Sequence, residues 1–236
     1  LCNDLSKSEL RQRASIYEIL GDLHKDKNCI YYDCEKSVEY YNKALVDNQD
    51  AVTARLSMAK IYSDIRNQEN GHYNLSFAMK QLQLLDTLNN KDIDRNYDRI
   101  QMAISRIYAD KNYEGCNYGL ALSTLAKIQD DEKGFIDLQK GNIYAIEDSP
   151  YYDMKKAVAC YTSAAQKNNT NAMVKLAKCY LYGLGVDRDK EAAKLWLQEA
   201  DRQGDEYARE YLKNIDRTSY NPITYTLVKQ LLNSLA

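Results

Sequence analysis

The stretch that decides the fold reads NAMVKLAKCYLYGLGVDRDKEAAKLWLQEADRQGDEYA, residues 171–208. In its first part Ala172, Leu176 and Tyr180 recur every four residues, and in its second Ala193, Trp196, Leu197 and Ala200 follow at i, i+3, i+4 and i+7. Both spacings put apolar side chains on one face of an α-helix. Gly183 and Gly185 lie between the two stripes, and Gly204 stands after the second, where a left-handed residue ends a helix. The stretch predicts a helical hairpin with one apolar seam, which a neighbouring hairpin has to cover.

Working outward, the pattern returns every 36 residues: Tyr108, Tyr144 and Tyr180 keep that interval, as do Ala121, Ala157 and Ala193. Ala164 with Ala200, and Ala172 with Ala208, repeat it. A fixed period of roughly 20 to 50 residues predicts supersecondary units stacked in one direction. Toward the N-terminus Leu20, Gly21, Asp33, Tyr40 and Ala44 mark an earlier unit, with His24 in the core Tyr position, and Met58, Ala59, Tyr62 and Ala78 mark the next. The expected units are 16–53, 54–99, 100–135, 136–171 and 172–207, followed by a C-terminal cap, 208–236, in a single repeat domain. Asn221-Pro222 reads as the start of the capping helix, which carries Ile223, Leu227 and Leu231.

Composition agrees with helix throughout, since 236 residues with two Pro and nine Gly offer few places to break a chain. The 32 Lys and Arg nearly cancel the 34 Asp and Glu, so no global field favours a nucleic-acid partner. No uncharged apolar run reaches the roughly 18 residues of a membrane span. Two histidines and six cysteines without a CxxC offer no metal-ligand spacing, and the sequence has no GxSxG, HExxH or phosphate-loop pattern. Neither a cofactor nor catalysis is expected.

The repeat resembles the Sel-one-like family, a relative of the tetratricopeptide repeat, through Ala172, Leu176, Tyr180, Gly183, Gly185, Val186, Asp189, Ala193, Trp196, Ala200 and Gly204. In the preceding unit Glu147, Ser149 and Pro150 replace the loop residues and Cys160 stands in place of Trp196. The resemblance implies an all-α, right-handed superhelical solenoid of about five hairpins that binds another protein. It further implies a bacterial, exported or envelope-associated adaptor. A sharper form is an immunity protein that neutralises a type VI secretion toxin such as a phospholipase effector. The alternatives are a scaffold subunit of an envelope or polysaccharide-export machine, and a repeat-based enzyme.

By the tetratricopeptide pattern, first-helix positions line the binding groove. Mapped here they are Glu18 and Asp22, Leu56 and Lys60, Met102 and Arg106, then Phe135, Leu138 and Asn142, Val174, Lys178 and Tyr182, and Tyr207 with Glu210. Phe135, Tyr182 and Tyr207 are expected as anchors, because large aromatics dominate interface energies, and Arg106 and Lys178 as orienting charges. Twenty-one Tyr against two Phe suits such a surface, although Tyr62, Tyr108, Tyr144 and Tyr180 fall on the seam and read as core.

Cys160 and Cys179 lie at similar distances from the turn between two successive helices, which predicts a disulfide. Two buried free thiols, or a bridge from Cys29 to Cys34, are the other readings. Cys2 is a candidate for an N-terminal lipid anchor, though Leu1 is a poor match for the small residue expected before a lipidated cysteine.

Overall fold

A computed structural model describes residues 5–25, 32–69, 71–86, 91–128 and 133–215, with the side chains of 86 and 91–95 excepted. The expected capping helix from Asn221, Cys2, and Cys29 of the Cys29–Cys34 alternative lie outside these residues. Among the described residues the chain is all helix, with no strand. The chain falls into two compact units, Leu1–Asn117 and Tyr118–Ala236.

The first unit contains α1 (Lys7–Lys25), α2 (Cys34–Asp47), α3 (Val52–Tyr62), a 3-10 turn (Ile65–Asn67), α4 (Leu75–Asp86) and α5 (Lys91–Tyr108). The second contains α6 (Tyr118–Leu125), α7 (Phe135–Tyr144), α8 (Met154–Gln166), α9 (Thr170–Tyr182), α10 (Lys190–Arg202) and α11 (Glu206–Asn214). Successive helices pack as antiparallel hairpins, α1 on α2 and α3 on α4 in the first unit, α7 on α8 and α9 on α10 in the second.

One backbone hydrogen bond closes the loop of each of these four hairpins, and the loop that follows α5 has it too. The N–H of the residue that begins the second helix donates to the carbonyl of the seam aromatic near the end of the first: Asp33 to His24, Asn74 to Tyr62, Asn117 to Tyr108, Asp153 to Tyr144 and Asp189 to Tyr180, at 2.8–2.9 Å. The repeated Tyr thus fixes its loop by its backbone, a role His24 fills equally. The residue at the other end of that bond also caps the next helix. The side chains of Asp33, Asp153 and Asp189 accept from the N–H of Lys36, Lys156 and Ala192. Asn169 and Asp205, again 36 apart, cap α9 and α11 in the same way. Each such cap stabilises its helix by about 1 kcal/mol. Asn168, the described non-glycine residue at positive φ (61°), and Gly204 (φ 90°) turn the chain between hairpins at equivalent positions.

Within a hairpin, a small residue of the first helix stands 20 positions before a large one of the second. Gly21 with Tyr41, Ala59 with Met79, Gly141 with Tyr161 and Ala177 with Leu197 are all buried. Where the small residue is Gly the large one is Tyr; where it is Ala the large one is Leu or Met. The first unit holds two apolar clusters, around Tyr41 and Met58 and around Leu82 and Ile100. In the second unit the core runs from Ala157 and Tyr161 through Met173 and Leu176 to Leu197 and Ile215.

Candidate functional site

In the first unit, two of the expected groove residues share a cleft. Asp22, at the end of α1, and Lys60, at the end of α3, line a cavity of about 330 Å3 together with Lys25, Tyr32, Asp64 and Arg66. Its charges are mostly matched internally. Lys25 Nζ donates to Asp22 at 2.5 Å and to Ser57 at 3.0 Å, and Tyr41 donates its hydroxyl to Asp22 at 2.7 Å. Burial works to raise the Asp22 carboxyl, but the hydrogen bonds from Lys25 and Tyr41 outweigh it and hold the group below its ordinary value. Arg66 clamps Asp64 through two guanidinium nitrogens.

Glu18 has a different task. Helix α3 starts at Ala51, which supplies no side-chain cap. Glu18 Oε1 reaches across from α1 and accepts the N–H of Ala54 at 3.0 Å, satisfying a donor that the helix end leaves open. Met102 is half-buried and Arg106 exposed on α5.

In the second unit, the first helices α7, α9 and α11 present a basic and aromatic face. Lys178 lies with Nζ 5.0 Å from the ring centroid of Tyr211, and Lys175 with Nζ 5.9 Å from that of Tyr161. Both lysines are half-buried. Burial pulls both ammonium groups below their ordinary values, and the charge of Lys178 lowers Lys175 further. Burial pushes the Tyr211 phenol up to about 12 and raises that of Tyr182 as well. Tyr161 donates its hydroxyl to Asn142 Oδ1 at 3.2 Å. Tyr207, 68% exposed, stands one turn before Tyr211 on α11.

Of the expected residues, Lys178, Tyr182 and Tyr207 therefore meet at this face. Glu210 is exposed on α11, and Phe135, 46% exposed, begins α7. Val174 belongs to the core at 8% exposure, so the face runs through Lys175 in its place. Lys175 and Tyr211 were not singled out from the sequence. The signal was present, since Tyr211 follows Lys175 by one 36-residue period and Lys175 precedes Lys178 by three.

The expected bridge between Cys160 and Cys179 is not formed in the structure, where both are free thiols. Level positions on antiparallel helices do not fix the direction in which each Cβ points. Cys160, half-buried on α8, lies in the field of Asp137 and Lys140 of α7, while Cys179 is buried at 3% exposure on α9 near Lys175.

The Sel1 repeat pattern matches residues 20–45, 147–169 and 170–205, which take in the end of α1 with most of α2, then α8, then the α9–α10 hairpin. Three solved structures share the fold. A Sel1 repeat protein from Oxalobacter formigenes is 20% identical with a TM-score of 0.58, covering 86% of this chain and 78% of that one. A protective antigen of uropathogenic Escherichia coli strains, displaying an SLR fold, is 17% identical with a TM-score of 0.54; 94% of this chain aligns with 45% of that one. A Sel1 repeat protein from Klebsiella pneumoniae subsp. pneumoniae is 17% identical with a TM-score of 0.53, covering 90% of this chain and all of that one. No curated protein sequence matches the chain. Repeat pattern and fold agree: residues 20–45, 147–169 and 170–205 read as Sel1 repeats, and the described residues share the all-helical hairpin fold of these Sel1-like structures.

Proposed function

We propose that the protein is an adaptor without chemistry of its own, which holds a segment of another protein on the first-helix face of its second unit. The observation that carries this reading is Lys178 against the ring of Tyr211, with the exposed Tyr207 one turn before Tyr211 on α11 and the half-buried Tyr182 one turn after Lys178 on α9. Such side chains supply large contact area at small entropic cost, and they are the residue types that dominate interface energies. An open helical face also suits an extended protein segment better than a small metabolite, whose sites are enclosed and mostly apolar. Phe135 and Glu210 complete the proposed contact set of the second unit, and Asp22, Lys60, Met102 and Arg106 are proposed as a separate set on the first. The finer reading, supported by the family resemblance, is an envelope-located bacterial immunity protein that neutralises a secreted toxin.

Photo-cross-linking in cells tests the reading. A photoreactive residue at Tyr207 is expected to give a discrete adduct with another protein, whereas one at Leu195, 66% exposed on the second-helix side, is expected to give none. Adducts from Leu195 alone would move the binding surface to the other side of the unit. An adduct partner that is toxic when expressed without this chain supports immunity, and a component of an export machine makes the chain a scaffold.

A further inference from the structure

We infer that the second unit recognises an acidic segment of its partner, with Lys175 and Lys178 taking the carboxylates beside the rings of Tyr161 and Tyr211. The inference rests on the protein-binding reading above and names the chemistry of the bound segment.

Among the described residues six lysines are answered by carboxylates, and Lys60, Lys80, Lys111 and Lys127, which are not, are exposed to water. Lys25 pairs with Asp22, Lys36 with Asp33, Lys43 with Glu39, Lys156 with Asp153, Lys167 with Asp137 and Lys194 with Glu191. Lys175 and Lys178 have no such ion pair among the described residues, although they are half-buried and three residues apart on one helix. Two like charges drawn partly out of water and toward each other raise the local positive potential, and burial without a counter-charge is costly. Their depressed ammonium values express that cost. A carboxylate placed between them would supply the missing counter-charge, in the water-poor setting where charge-assisted hydrogen bonds are strongest.

The surroundings favour a peptide over other anions. The half-buried ring of Tyr211 lies 5.0 Å from Lys178 Nζ and offers apolar surface for the stems of Asp and Glu neighbours, while the buried ring of Tyr161 lies 5.9 Å from Lys175 Nζ from beneath. The hydroxyls of Tyr182 and Tyr211, both half-buried, can exchange hydrogen bonds with a peptide backbone. Two lysines on a chain of net charge −2 are too few to hold a nucleic-acid backbone, and the open face lacks the arginine forks that grip phosphate bidentately.

Fluorescence anisotropy decides the matter. The probes are a fluorescein-labelled nonapeptide alternating Glu or Asp with Leu and Tyr, and its Gln/Asn counterpart. The acidic peptide is expected to bind, at least about tenfold more tightly than the amide one, with affinity falling as salt rises. Lys175→Gln/Lys178→Gln is expected to lose about tenfold or more, while Lys111→Gln/Lys127→Gln, which removes as much charge elsewhere, changes nothing. Equal binding of the two peptides to the wild-type chain overturns the inference whatever the variants do, and so does absence of acidic-peptide binding. A Tyr207 cross-link that persists undiminished in the Lys175→Gln/Lys178→Gln variant also overturns it, while leaving the protein-binding reading intact.

Discussion

The ring of Tyr161 occupies the space that a side chain on Gly141 would need: a Cβ there would sit 2.6 Å from Tyr161 Cε1. The same relation joins Gly21 and Tyr41, again at 2.6 Å. In both hairpins the Tyr hydroxyl donates to the residue after the glycine, Asp22 or Asn142. The pair is a unit of construction, in which glycine lets a large ring lie flat on the first helix and the ring's polar end is satisfied locally.

Gly141→Ala is therefore expected to destabilise the protein. Alanine gains up to about 1 kcal/mol of helix propensity over glycine, but overpacking a buried ring typically costs about 1–3 kcal/mol, and the ring cannot shift without straining its bond to Asn142. Adding Tyr161→Leu copies the Ala177–Leu197 pair of the next hairpin and is expected to recover most of the loss. Urea unfolding of the single and double variants measures the coupling; a double variant no better than the sum of its parts would show that the pairs are not interchangeable.

Glu18→Ala is expected to lower stability by about 1 kcal/mol, the ordinary cost of a lost N-cap, because Ala54 then loses its acceptor. Glu18→Gln keeps an oxygen in place and is expected to lose less than half as much. A binding residue would behave in the opposite manner, leaving the unfolding midpoint unchanged and weakening partner capture.

The hairpins were legible in the sequence because each is specified locally, by a small residue and a large one 20 apart and by a capping Asp or Asn beside the loop-closing aromatic. The site was legible only in part. Lys178, Tyr182 and Tyr207 follow from their helix positions, but Val174 was placed on the groove and is core, because α9 is apolar around most of its circumference and its stripe leaves the exposed edge undetermined by one residue. Glu18 was unreadable for a different reason. Its oxygen serves a helix 36 residues away, and the one local sign is negative: Ala51, at the start of α3, has no side chain able to cap.

Acid is expected to weaken the second unit through Asp137. This carboxylate accepts from Ser163 at 2.6 Å and from Lys167 at 2.8 Å, tying the start of α7 to the end of α8. Burial acts to raise it, but the bonds from Lys167 and Ser163 prevail and hold it below its ordinary value. A carboxyl depressed in the folded state stabilises the fold at pH above the unfolded value of about 3.9, and that contribution is lost as pH falls through the folded value. Asp137→Asn is thus expected to be less stable than wild type at pH 7 and to converge with it near pH 2. Chemical unfolding at both pH values checks the sign, and a gap that widens in acid would contradict it.

Thiol chemistry is expected to separate the two cysteines that sequence position had suggested as partners. Cys179 is buried, and desolvation raises its thiol to about 12, so the thiolate that reacts with alkylating agents is scarce at pH 8. Cys160 is also raised by burial and by the nearby Asp137, yet it is half-exposed on α8. Iodoacetamide applied to the native, unreduced protein should therefore label Cys160 slowly and Cys179 hardly at all, and both should label at once in concentrated guanidinium chloride. Labelling before and after unfolding, read by peptide mass, distinguishes protection by burial from protection by a bond. A Cys160–Cys179 disulfide would leave both unlabelled even in denaturant until reductant is added, and would appear as one linked peptide. Full labelling in denaturant alone identifies Cys179 as a small apolar side chain of the α9 core, whose replacement by Ala would cost stability through the cavity it leaves and not through a lost cross-link.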